Sequence, residues 1–168
     1  MQMRGIITSG NDIYFYFEML RQLSPKRVLD VGMFLKRIGA VSRQAMATEL
    51  SSQIQLWGVD FFPEVPLPIY EQVYNAVLEK ESFFLQQTKT FAAEKFDVAV
   101  ALRVGELLAE QEKEMLYRYL LQSVGGILTD AEMAVQMKQR GAVRGFYPVN
   151  IENDQYAWIP VAELRGEL

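Results

Sequence analysis

The chain contains no cysteine and no histidine. Without thiols there are no disulfides, no zinc–thiolate sites and no thiol nucleophile, a composition compatible with a reducing cytoplasm, where the protein is expected to reside. Without imidazole there is no Ser-His-Asp or Cys-His arrangement, no histidine metal ligand and no base that titrates near neutrality of its own accord. Any catalysis must therefore rest on carboxylates, Lys, Tyr, Arg or positioning. No run of 18 apolar residues occurs, so a membrane-spanning helix is not expected. The opening stretch MQMRGIITSGND lacks the apolar centre of a secretory signal and reads as part of the mature protein. A formal net charge of −4 gives no general attraction to nucleic acid or anionic lipid. The basic residues Lys36, Arg37 and Arg43 read as solvated charges near a helix start, and nucleic-acid binding is not expected.

What is present is a soluble-type mixture in 168 residues, half of them apolar, enough for one domain with a proper core. The segment NDIYFYFEMLRQLSP repeats apolar residues at helical spacing through Ile13, Tyr16, Phe17, Leu20 and Leu23. Asn11 or Asp12 is placed to cap it and Pro25 to stop it. RVLDVG follows as a short buried strand, then IGAVSRQAMATELSSQ as a helix of small residues. IQLWGVD repeats the strand, and FFPEVPLP is a proline-stiffened loop. In IYEQVYNAVLEKE, Tyr70, Val73, Tyr74, Val77 and Leu78 define an amphipathic helical face. SFFLQQ reads as a third strand and KFDVAVAL as a fourth, apolar enough to be buried on both faces. ELLAEQEKEMLYRYLLQSV is a long helix, Gly125 and Gly126 turn it into a fifth strand ILTD, and AEMAVQMKQR is a short helix ending at Gly141. Two last runs, AVRGFYPVNI and YAWIPVA, flank ENDQ as a hairpin.

Alternating strands and helices followed by a hairpin predict an α/β fold: a three-layer, doubly wound, mostly parallel sheet with a C-terminal antiparallel hairpin. Ligands of such sheets bind outside the carboxyl ends of the strands, where strand order reverses. The loops after Asp30, Asp60 and Leu102 share that rim. A strand-to-helix loop offers free N–H groups and the positive end of a helix dipole, and Gly32 permits close backbone approach. An acid ending the second strand can accept from both hydroxyls of a ribose, and Phe61 and Phe62 can lie on an adenine face or belong to the core or a subunit contact. Asp30, Gly32 and Asp60 together read as an adenosine-type site. The dinucleotide fingerprint needs glycines that DVGMFLKRIG does not supply.

These residues resemble the class I S-adenosylmethionine-dependent methyltransferases. VLDVGMF is similar to that family's first motif, and its O-methyltransferase variant carries phenylalanine where Phe34 stands. LWGVD resembles the second motif, which implies that Asp60 holds the cofactor ribose. FDVAVAL resembles the fourth-strand motif, LLQSVGGILTD the helix-turn-strand after it, and the hairpin suits the family's seven-stranded sheet. The resemblance implies one domain over 1–168: an N-terminal helix at 1–25, a cofactor-binding core at 26–130, and a helix with hairpin at 131–168. It implies S-adenosylmethionine held by Asp30, Gly32, Phe34, Lys36, Asp60, Phe61 and Leu102, and methyl transfer to a small-molecule or protein acceptor, the alternative being a catalytically inactive binding or assembly module of the same fold; a homo-oligomer is left open. Two departures stand out. The O-methyltransferase variant keeps glycine where Lys36 stands, so Lys36 either pairs with the cofactor carboxylate or points into solvent. Metal-dependent catechol-type relatives place acids after strands four and five and an asparagine beside the second. Leu102, Asp130 and Ala131 occupy those places here, and one oxygen ligand cannot satisfy magnesium, so no metal is expected.

Overall fold

The computed structural model describes residues 10–32, 54–60, 72–75, 96–141 and 143–161. Among the described residues the helices are α1 (Gly10–Leu23), α2 (Glu110–Ser123) and α3 (Ala131–Gln139), with a 3-10 turn at Gly105–Leu107. The strands are β1 (Arg27–Val31), β2 (Gln55–Asp60), β3 (Gln72–Asn75), β4 (Phe96–Ala101), β5 (Val124–Asp130), β6 (Tyr147–Ile151) and β7 (Asp154–Ile159). They form one mixed sheet in the order β3-β2-β1-β4-β5-β7-β6. The pairings from β3 through β5 are parallel, whereas β7 is antiparallel to both β5 and β6. The terminal hairpin is therefore not a simple edge: β7 inserts between β5 and β6 and is the one described strand that runs against the rest. Strand order reverses between β1 and β4, and the carboxyl ends of those strands are where a doubly wound sheet is expected to bind ligands.

Side-chain alternation along the strands separates two cores. On one face Val28, Val98, Val100, Leu128 and Tyr156 meet Phe15, Tyr16 and Leu20 of α1. On the other, Leu29, Val31, Ala99, Ile127 and Ile159 meet Leu116, Tyr119 and Leu120 of α2 and Met133 and Met137 of α3. Helix–sheet–helix layering follows from two apolar faces that each need cover. The ring of Phe15 stacks on Tyr156 at 4.3 Å with a 12° interplanar angle, pinning α1 to the inserted strand.

Four expectations change. Residues 72–75, inside the segment predicted to be helical, form β3, because Val73 and Tyr74 complete a parallel ladder opposite Gly58 and Val59. Pairing to an existing sheet edge outweighs a local 3.6-residue period. The expected helix at 38–53 and the expected strand at 82–87 lie outside the described residues, as does the loop at 61–68. Gly125 and Gly126 are not a turn but part of β5, which follows α2 directly. Their lack of a side chain serves close approach: a Cβ on Gly126 would lie 2.0 Å from the Trp158 ring, and one on Gly125 would lie 3.0 Å from the Asp97 carbonyl oxygen. The long helix also starts later than expected, at Glu110, where the Glu112 carboxylate accepts from the Ala109 N–H at 3.0 Å. Finally, α1 begins at Gly10, so Asn11 and Asp12 sit within its first turn, and their side chains reach distant partners.

Candidate functional site

The carboxyl ends of β1, β2 and β4 converge as anticipated. In register, Asp30 lies between Gly58 of β2 and Val100 of β4, a place with no exposure to solvent. A charged group there needs partners. The Tyr16 hydroxyl of α1 donates to Asp30 Oδ2 at 3.4 Å. Asp30 is thus an internal anchor that ties the end of β1 to α1. Two residues on, Gly32 has φ 81°, the left-handed region that favours glycine, and its N–H donates to the Val59 carbonyl at 2.7 Å. That bond extends the β1–β2 ladder to the rim. Asp60 closes β2 with its backbone in register with Asn75 of β3, which puts it on the same rim. Leu102, just after β4, is 1% exposed and belongs to the core beneath α1. Phe34, Lys36 and Phe61 lie outside the described residues, as do Arg37, Arg43 and Phe62. Among the expected site residues, the structure brings together Asp30, Gly32, the backbone of Asp60 and Leu102.

The loop after β4 carries a feature that local sequence pattern did not disclose. Arg103 adopts φ 59°, a left-handed conformation that non-glycine residues rarely enter. Its N–H donates to Asp130 Oδ2 at 2.8 Å, and its guanidinium grips Asp12 of α1 through Nε (2.7 Å) and Nη2 (3.2 Å). The Tyr156 hydroxyl of β7 donates to the same Asp12 carboxylate. The hydrogen bond to Asp12, reinforced by its charge, pushes the Arg103 pKa up despite partial burial, so the guanidinium stays charged at every accessible pH. Local sequence pattern offers Asp12 only as a helix cap and gives no partner for Arg103. They are 91 positions apart, and nothing local links them.

Asp130 likewise has both oxygens engaged: Oδ1 caps α3 by accepting from the Met133 N–H at 2.9 Å, and Oδ2 holds Arg103. Leu102 and Ala131 beside it offer no oxygen side chain, so this corner does not fit an octahedral magnesium ion. No group of three or more His, Cys, Asp or Glu able to hold a metal occurs among the described residues. Beside Asp130 is a cavity of about 230 Å3 walled by Arg103, Glu106, Lys113, Glu132, Met133 and Gln136. Glu106 lies in the 3-10 turn rather than at the start of α2. A larger cavity of about 810 Å3 opens at the opposite, amino ends of the strands, around Lys26, Asp97 and Trp158, away from the rim.

No family model and no curated protein matches the sequence. Solved structures do match the fold. A protein from Staphylococcus aureus assigned as a caffeoyl-CoA O-methyltransferase superimposes with a TM-score of 0.59 at 9% identity, over 92% of this chain and 85% of its own. A protein from Klebsiella pneumoniae assigned as an O-methyltransferase gives 0.53 at 16% identity, over 91% and 81%. The MycE methyltransferase of mycinamycin biosynthesis, solved with Mg and SAH, gives 0.51 at 11% identity. It is matched over 88% of this chain but only 49% of its own length. At such identities the likeness shows the fold alone: an α/β sheet with helices, as in these methyltransferase structures. No helix among the described residues is long and apolar enough to cross a membrane.

Proposed function

We propose that this chain is an S-adenosylmethionine-dependent methyltransferase acting on a small molecule or a protein side chain. The observation that carries the reading is the fold, a sheet in the order β3-β2-β1-β4-β5-β7-β6 with its helices, over about nine-tenths of which structures assigned as O-methyltransferases superimpose. Three features of the rim fit the cofactor. Gly32, at positive φ, leaves the backbone bare where the β1 loop would approach the ligand. Asp60 ends β2, where a carboxylate accepts from ribose hydroxyls. Asp30 is buried at the end of β1 and bonded to Tyr16, which suits an organiser of the rim. Phe34 and Phe61 complete the adenosine side in this proposal, and Lys36 either pairs with the cofactor carboxylate or faces solvent. When bound, the sulfonium group supplies an electrophilic methyl. The chain's own part is to hold the acceptor in line with it and to exclude water, and orientation of this kind can supply several kcal/mol of the barrier reduction. With no histidine, acceptor deprotonation falls to a carboxylate, Lys or Tyr, or to no protein group at all. Magnesium has no part in this proposal, because Asp130 is already doubly engaged and Leu102 offers no oxygen side chain.

One observation favours a second reading, a methyltransferase fold used for binding or assembly. Arg103, in the loop where an acceptor would approach, has both its backbone N–H and its guanidinium committed internally. A thermal-shift series with S-adenosylmethionine, S-adenosylhomocysteine, NAD and ATP separates the two readings. Ligand at 100 times its dissociation constant adds about 2.7 kcal/mol to stability. Stabilisation by both S-adenosyl compounds is expected; stabilisation by neither would leave the assembly reading ahead.

A further inference from the structure

Two residues of α1 one helical turn apart, Asp12 and Tyr16, both face inward and both bond to the rim. Asp12, 1% exposed, receives the Arg103 fork and the Tyr156 hydroxyl; Tyr16, fully buried, donates to Asp30. Asn11 adds a third tether, donating to Asp154 Oδ2 of β7 at 2.9 Å. The first turn of α1 is thereby fixed to the loop after β4 and to the inserted strand, while the next turn is fixed to the end of β1.

An ion pair removed from water is a weak source of stability, since desolvation offsets much of the attraction. A bidentate guanidinium–carboxylate contact does fix direction and register. Here that contact is made by a residue held in left-handed geometry, whose N–H is secured by Asp130. Strain of this kind persists only where the surroundings enforce it. Arg103 keeps 28% of its side chain exposed, so the fork lies at the carboxyl-end rim rather than deep in the core.

We propose that Arg103 is a positioning residue: through Asp12 it clamps α1 across the carboxyl-end rim, and the clamped helix holds the Tyr16 hydroxyl on Asp30. The clamp stands on the geometry alone; its consequence for cofactor affinity rests on the S-adenosylmethionine reading above. The carboxyl ends of β1 and β4 are linked in this way through a helix that packs over both.

The test combines hydrogen exchange resolved along the chain with calorimetric titration of S-adenosylmethionine, on wild type, Arg103→Lys, Asp12→Asn, the double variant and Tyr16→Phe. Lysine keeps the charge but loses the fork. Arg103→Lys and Asp12→Asn should each speed exchange in residues 10–23 by about tenfold while β1, β4 and β5 stay protected. Each should weaken S-adenosylmethionine by about tenfold, and the double variant should be no worse than either single one, since the two residues act as a unit. Tyr16→Phe should reproduce the affinity loss without loosening the first turn of α1. Unchanged exchange in α1, or faster exchange spread evenly over the sheet, would overturn the clamp. Loosened α1 with unchanged affinity would overturn the positioning role. Should Asp12→Asn fail to fold, Arg103→Lys decides alone. Should wild type not bind S-adenosylmethionine, the proposed function falls, and local acceleration in α1 still sustains the clamp while its absence overturns it.

Discussion

Asp130 carries two separable loads, and substitutions can take them off one at a time. Oδ1 caps α3 through the Met133 N–H, and Oδ2 accepts from the Arg103 N–H. Serine at this position can still cap the helix but is too short to serve Arg103 as well. The cost of Asp130→Ser is then that of an Arg103 N–H left without its acceptor, about 1–2 kcal/mol for a partly buried donor. Alanine removes the cap too, adding about 1 kcal/mol. Asp130→Ser should therefore lose about 1–2 kcal/mol and Asp130→Ala about 2–3 kcal/mol, large against a domain stability of about 5–15 kcal/mol. Urea denaturation with a constant m-value reads both differences directly. A serine variant as stable as wild type would show that the Arg103 bond contributes nothing. Serine and alanine variants of equal stability would refute the capping assignment.

The same reasoning gives two further expectations. Gly126→Ala should destabilise by about 1–3 kcal/mol, because the new methyl meets the Trp158 ring; in the Trp158→Leu background the loss should shrink, as a thermodynamic cycle from denaturation midpoints would show. The Tyr117 hydroxyl, which donates to Gln136 at 3.2 Å, is pushed up from its ordinary value of 10.0 to about 12 by burial, with the charge of Asp130 adding to it. The folded state then holds the proton after the unfolded chain has released it, so stability should fall as pH rises from 10 to 12. Stability measured across that window should fall less in Tyr117→Phe, and an equal fall would sink the assignment.

How much of this was legible depends on whether a feature is local. β1, β2 and β4 are short apolar runs bounded by polar or glycine residues, and a buried parallel strand has no other requirement. The left-handed turn at Gly32 and the left-handed Gly141 just past the C-cap of α3, with φ 72°, announce themselves because only glycine adopts that geometry without strain. Arg103, at φ 59°, gives no such sign, since arginine does not advertise a positive φ. β3 was masked by its own composition: Tyr70, Val73, Tyr74 and Val77 satisfy a helical period, and only the edge of β2 makes Val73 and Tyr74 a strand. The hairpin was visible in its short turn, but its insertion beside β5 depends on Ile127 meeting Ile159. At the rim, Asp30 and Asp60 were found by their place at strand ends. The Asp12–Arg103–Tyr156 contact joins three segments far apart in the chain, and no spacing rule reaches it.

Calorimetric titration of S-adenosylmethionine into wild type and Asp60→Ala asks whether the rim formed by β1, β2 and β4 binds the cofactor. Binding to wild type should be saturable, one-to-one and unaffected by added magnesium. Asp60→Ala should lose about 1.5–3 kcal/mol of binding free energy, the scale of a charge-assisted hydrogen bond. No heat of binding with wild type, or binding that Asp60→Ala leaves intact, would contradict a cofactor site on this rim.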